Sequence, residues 1–141
     1  MTDEAQIRHE GGCLCGRVRY AFEGDPLLVA VCHCRHCQRQ SGSAFSLVVA
    51  VTDQAFSQQG TTRVFHDTGD SGEAVLRHFC ENCGSPIVSI AGAIPGLTLI
   101  KGGTLDRPGE WTPTLEAYCD SGLPWIPPIA EERHARSNVG E

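Results

Sequence analysis

The spacing of its cysteines constrains this chain more than any other feature. Eight occur in 141 residues, and seven of them form three tight clusters: Cys13-Leu14-Cys15, Cys32-His33-Cys34-Arg35-His36-Cys37 and Cys80-Glu81-Asn82-Cys83. Residues two apart on an extended segment point to the same side, so Cys13 with Cys15, and Cys32 with Cys34, can each reach one metal ion. A Cys-x-x-Cys knuckle brings two sulfurs to about 2.3 Å from a zinc in a single turn. Gly84, directly after the third cluster, supplies the left-handed backbone such a turn uses. A chain of this length is one domain. Its hydrophobic gain and its ordering cost nearly cancel, so staples matter.

A structural zinc takes four protein ligands, whereas a catalytic zinc keeps three and leaves one position open. Seven clustered thiols divide as four plus three. Cys32, Cys34 and Cys37 are already local to one another and read as the three-ligand, catalytic set. Cys13, Cys15, Cys80 and Cys83 then pair across the chain as a closed structural set. A different division joins the second and third clusters in one site and leaves Cys13 and Cys15 over. Cys34-Arg35-His36-Cys37 also has the form of a redox dithiol, although that motif expects a βαβ context and gives Cys32 no role. Iron in a four-thiolate site would use the same ligands as zinc. Cys119 stands alone and reads as a small buried hydrophobe.

Several classes are disfavoured. The start, Met1-Thr2-Asp3-Glu4, has neither the basic nor the apolar region of a secretory signal. A cytoplasmic, reducing location is therefore expected, where clustered cysteines more often bind metal than form disulfides. The longest apolar run, residues 27–32, is far short of the roughly 18 residues that cross a bilayer, so no membrane partner is expected. The net charge of −6 argues against nucleic acid as a partner, since that usually needs a basic footprint. Around the second cluster the balance reverses. Arg8, Arg17, Arg19, Arg35 and Arg39 face Glu10, Glu23 and Asp25, a local excess of two positive charges.

Short segments of strand character, bounded by Gly, Pro, Asp or Ser, run along the chain at 17–22, 27–31, 44–51, 62–66, 75–79, 87–90, 97–100 and 114–118. In the first, Val18, Tyr20 and Phe22 alternate onto one face. The best helical piece is short, 34–40, ended by Ser41-Gly42. This pattern predicts an all-β domain of short antiparallel strands with little helix. An arm over 1–9, a zinc-stapled domain over 10–126 and a frayed tail over 127–141 are expected.

The motifs Gly12-Cys13-x-Cys15-Gly16-x-Val18-x-Tyr20, Cys32-His33-Cys34-x-x-Cys37-Gln38 with Ser41-Gly42, and Phe79-Cys80-x-x-Cys83-Gly84 resemble those of the glutathione-dependent formaldehyde-activating enzyme / centromere protein V family. Gly102-Gly103-Thr104-Leu105 and Pro124-Trp125 are similar to its later course. The resemblance implies a tent-like all-β fold. It also implies a structural zinc on Cys13, Cys15, Cys80 and Cys83 and a catalytic, labile zinc on Cys32, Cys34 and Cys37. The implied activity is that of a carbon–sulfur lyase, joining formaldehyde and glutathione as S-hydroxymethylglutathione or cleaving that adduct. A related thiol or a larger aldehyde is compatible with the same residues. The alternative is a non-catalytic zinc-stapled module that binds a protein partner or a small thiol.

Zinc deprotonates a coordinated thiol and polarises a carbonyl, so the chemistry suits the ligands. Arg35 and Arg39 flank the open site and are the candidates for holding the carboxylates of glutathione. The arginines could equally lie solvated or offset thiolate charge. His33, between two same-side cysteines, is expected to point away from the metal, and His36 to lie outward or supply a fourth ligand. Trp125 is expected to pack the core or cover the end of the sheet.

Overall fold

The computed structural model describes residues 7–136. Its strands are β1 (Arg8–Gly12), β2 (Arg19–Glu23), β3 (Leu28–Cys32), β4 (Ser46–Thr52), β5 (Phe56–Gln59), β6 (Thr62–Thr68), β7 (Ala74–Cys80), β8 (Pro86–Ala91), β9 (Leu97–Lys101), β10 (Leu115–Ala117) and β11 (Glu132–Arg133). A single α-helix, α1 (Arg35–Ser41), follows β3. The all-β expectation holds, and every expected strand segment carries a strand. Three further strands were not anticipated. β1 contains two glycines, β5 reads Phe-Ser-Gln-Gln and β11 is two residues long, so none shows a periodic apolar face.

The strands form two sheets. The smaller has the order β1-β2-β5, and the larger runs β11-β10-β3-β4-β9-β8-β7-β6. Pairing is antiparallel except at one end, where β10 runs parallel to both β3 and β11. The expected antiparallel pairing holds over the rest of both sheets. The chain reaches β10 by a long excursion from β9, which delivers it to the far side of β3 in the same direction.

Val18, Tyr20 and Phe22 do share a buried face. They meet Val49, Val51, Val88 and Ile100 of the larger sheet in the main core. Trp111 closes one side of it, 5.5 Å from the Phe22 ring centre and 4.7 Å from that of His9. The Gly102-Gly103-Thr104-Leu105 segment ties the sheets together. The Tyr20 hydroxyl lies 2.6 Å from Thr104 Oγ1, Leu105 is buried, and Asp106 takes a bidentate pair of hydrogen bonds from Arg19 at 2.6 and 3.1 Å.

On its other face the larger sheet carries a second, smaller cluster. Ala30, Cys32, Cys37, Leu115 and Ala117 pack there, with Leu28, Cys34 and Tyr118 against them. The tail expected to fray is instead fastened here over 127–136. Glu116, fully buried, accepts hydrogen bonds through Oε2 from the Ile129 and Ala130 amides at 2.6 and 2.8 Å and from Arg133 Nε at 3.1 Å. Residues 1–6 of the expected arm and 137–141 of the tail lie outside the described residues. Among the described residues no helix is long and apolar enough to cross a membrane.

Candidate metal centres

Two sets of sulfurs converge, and they follow the four-plus-three division. Cys13, Cys15, Cys80 and Cys83 bring their Sγ atoms within 4.8 Å of one another, and so do Cys32, Cys34 and Cys37. In the first set Cys13 and Cys15 are 3.6 Å apart, and Cys15 and Cys80 3.8 Å. A disulfide needs about 2.05 Å. Four sulfurs at about 2.3 Å from a tetrahedral ion sit about 3.8 Å from one another. The donor set therefore fits a metal, and a thiophilic one.

The four-cysteine set joins the two sheets. Cys13 and Cys15 follow β1, and Cys80 ends β7, 65 residues beyond Cys15. Cys13, Cys80 and the partly buried Cys83 pack with the main core. Backbone and hydroxyl donors are already turned toward the sulfurs. The Val18 amide donates to Cys13 Sγ at 3.2 Å, and the Ser85 hydroxyl lies 3.3 Å from Cys83 Sγ. The Ser85 hydroxyl and amide hold the Cys83 thiol down to about 5. Gly84 has φ +82 with open space where a Cβ would stand. The knuckle uses the left-handed conformation, as its sequence suggests.

The three-cysteine set occupies the second cluster. Cys32 ends β3 and Cys37 lies in the first turn of α1. Cys34 is the N-cap residue, its sulfur accepting the Cys37 amide at 3.3 Å. Hydrogen bonds from Cys32 and Cys37 hold the Cys34 thiol down to about 2, and the same sharing pushes Cys32 up. Three sulfurs converging this closely form a donor set complementary to a thiophilic cation. Gly42 ends α1 at φ 66, its amide returning to the Gln38 carbonyl.

Neither histidine belongs to the three-sulfur set. His33 does point away from it. It is buried, and its Nε2 lies 2.8 Å from Glu116 Oε1, while Nδ1 has no partner. His36 is exposed on α1, 2.9 Å from Asp67. Arg35 and Arg39 are also exposed on α1, and Arg35 donates to the Gln38 side chain. Two of the other arginines are engaged elsewhere, Arg8 with Glu10 and Glu23 and Arg19 with Asp106.

Two expectations are corrected. Trp125 is 72% exposed and packs neither in the core nor over the sheet. The chain leaves β10 through Tyr118, the one non-glycine residue at positive φ among those described, and turns at 119–121, where the Cys119 and Asp120 amides donate to the His134 and Ala135 carbonyls. Trp111, half-buried, packs against the main core instead. Cys119 is only partly buried, and its thiol approaches the Glu116 carbonyl at 3.8 Å. Cys119, His33 and Glu116 also converge, but the Glu116 oxygens are already occupied by His33, two amides and Arg133.

Sequence inspection missed Glu116 and, although Gln38 stands in the second motif, gave it no role; both brace the three-cysteine loop. Gln38 Nε2 donates to the His33 carbonyl at 2.7 Å and to the Ser121 carbonyl at 3.0 Å. It thereby locks α1 to the end of β3 and to the exit from β10. Glu116 locks His33 to the returning tail. The available signal was a lone carboxylate between Leu115 and Ala117 in an otherwise apolar strand.

The sequence profile described as glutathione-dependent formaldehyde-activating enzyme matches residues 8–121. Among solved structures, the crystal structure of a Rhodobacter sphaeroides protein is similar at a TM-score of 0.53 and 14% identity, covering 89% of this chain and 98% of its own. That likeness is one of fold. No individual curated protein matches significantly.

Proposed function

This chain belongs to the glutathione-dependent formaldehyde-activating enzyme family, and from that premise we propose that it forms or cleaves a thiol–aldehyde adduct at Cys32, Cys34 and Cys37. The observation that carries this proposal is the incompleteness of the set. Three sulfurs converge, and among the described residues no fourth His, Cys, Asp or Glu joins them, the arrangement of a zinc site that keeps a position for substrate. Cys13, Cys15, Cys80 and Cys83 would hold the structural zinc.

In the synthetic direction the thiol sulfur bonds to the carbonyl carbon, the C=O π pair moves to oxygen, and the proton lost by the thiol ends on that oxygen. The product is a hemithioacetal, S-hydroxymethylglutathione when glutathione meets formaldehyde. The reverse step breaks the carbon–sulfur bond, which is lyase chemistry. Bound zinc supplies acidity to the thiol and polarity to the carbonyl. The protein supplies position. Glu116, His33 and Gln38 fix the loop that carries the three sulfurs. Arg35 and Arg39, exposed on α1, would receive carboxylates of glutathione. Such a substrate belongs to a reducing, cytoplasmic setting.

Exchange NMR of formaldehyde with glutathione tests this. Adding protein should speed exchange beyond the buffer rate, and Cys37→Ser should remove the gain. No acceleration at high protein concentration would leave a metal-stapled binding module as the surviving function.

A further inference from the structure

Lys101 ends β9 and is 7% exposed. Its place follows from the register. Lys101 stands opposite Val48, and Cys32 stands opposite Ser46, so Lys101, Ser46 and Cys32 share one face of adjacent strands. Lys101 Nζ donates to Ser46 Oγ at 2.8 Å. No carboxylate pairs with it among the described residues. The neighbouring buried cation, Arg77, is matched by Asp67 at 2.8 Å.

A buried ammonium without a counter-charge is costly. Burial pulls the Lys101 pKa down, Arg77 adds to that, and Cys37, Cys32 and Cys34 act in the opposite direction. Lys101 bonds to Ser46, Ser46 stands opposite Cys32, and Cys32 converges with Cys34 and Cys37, so the three-sulfur set is the counter-charge that the shared face sets beside Lys101. Charge arithmetic makes this specific. Three thiolates and a divalent cation sum to −1, which one ammonium neutralises. An anionic fourth ligand raises the sum to −2 beside a fixed positive charge. A neutral ligand leaves that charge with less to attract.

We propose that Lys101 is a positioning residue of the three-cysteine centre, its ammonium biasing the open position toward an anionic ligand, the thiolate sulfur of the substrate. This rests on the function proposed above. Lys101 acts here through its field and requires no carboxylate on the thiol. It is therefore distinct from Arg35 and Arg39, which would read the rest of glutathione.

The test uses protein loaded with cobalt(II) at both sites and titrated with glutathione and, separately, with 2-mercaptoethanol, while the sulfur-to-cobalt charge-transfer band is followed. Lys101→Met should retain both cobalt ions and lose at least tenfold in affinity for both thiols. Lys101→Arg should stay within about threefold of wild type. Ser46→Ala, which frees the ammonium from its one hydrogen bond, should weaken both thiols two- to threefold and keeps the question open to test if the methionine variant does not fold. Unchanged affinity for 2-mercaptoethanol in Lys101→Met, or in Ser46→Ala should the former not fold, would overturn the role of Lys101. A wild-type spectrum that ignores both thiols would instead overturn the open position itself.

Discussion

The two sulfur sets differ in how much chain they close and in which core they join. Cys15 and Cys80 meet across 65 residues, and their set fastens the end of β7 to the loop after β1, beside the main core. Cys32, Cys34 and Cys37 lie within a single loop and the first helical turn, on the opposite face of the larger sheet in a cluster of its own. Loop-closure entropy grows with the length closed, so the same ion linking these two sets would do unequal work for folding. A long closure with four ligands would serve stability, and a short closure with three ligands would leave room for the proposed chemistry.

The largest effect expected of this difference comes from removing one ligand on each side. Structural zinc contributes about 10–16 kcal/mol in small zinc-finger peptides, comparable to the whole stability of a domain. Cys80→Ser should therefore lose cooperative thermal unfolding altogether. Cys37→Ser should keep it, with a melting temperature lower by a few degrees and one metal ion fewer per chain. Circular dichroism melts with metal counting on both variants decide the matter, and equal losses would break the comparison.

Glu116 offers a sharper cut, because it supports only the three-cysteine side. Burial opposes its charge, but the Ala130 amide, His33, the Ile129 amide and Arg133 hold its pKa at about 2 against 4.5 for an ordinary glutamate. A carboxylate lowered in the folded state stabilises above its unfolded pKa and ceases to as pH falls through the folded one. Glu116→Gln should cost about 2–4 kcal/mol at neutral pH. The gap from wild type should be full above pH 4.5 and close as pH approaches 2. Denaturant midpoints of both proteins across that window measure it. The variant should retain the four-cysteine metal while binding the other more weakly.

How far these differences are legible in the sequence depends on the range of each interaction. Ligand spacing within a cluster is local, so all seven sulfurs, the knuckle at Gly84 and the short helix after Cys34 could be read directly. Ligand counting reached the pairing of the first and third clusters because four-coordination is a property of the ion. Glu116 and Lys101 escaped, and Gln38 stood in its motif without a role, since each acquires its role from a partner 5 to 83 residues away and no periodicity marks them. Trp125 misled for the same reason. Nothing near Pro124-Trp125 reveals the turn after Tyr118 that precedes it or the exposure of its ring.

A kinetic contrast should follow from ligand number alone. In competition with a chromogenic chelator such as 4-(2-pyridylazo)resorcinol, metal should leave in two phases. The faster belongs to the three-cysteine set and should exceed the slower by at least tenfold, about 1.4 kcal/mol in barrier. Cys37→Ser should remove the fast phase only. A single phase for both ions would mean that the open position confers no lability.

The smallest effects come from two glycines that stand in matching positions, one behind each metal set. Gly84 follows the Cys80–Cys83 knuckle at φ +82, and Gly42 ends the helix that holds Cys37 at φ +66, each with room for a Cβ. Substitution by alanine therefore meets no clash, and its cost is the left-handed backbone alone, about 1 kcal/mol at either site. Equal strain should nevertheless have unequal readouts. At Gly84 the strain bears on a closure that folding depends on, so Gly84→Ala should lower the melting temperature by a few degrees. At Gly42 it frays the last turn of a seven-residue helix, so Gly42→Ala should leave the melt nearly unchanged and quicken the fast phase of metal release two- to threefold. Thermal melts and chelator kinetics on the two variants would show the effects crossing over. Parallel shifts in both readouts would mean that the two metal sets are coupled through the sheet they share.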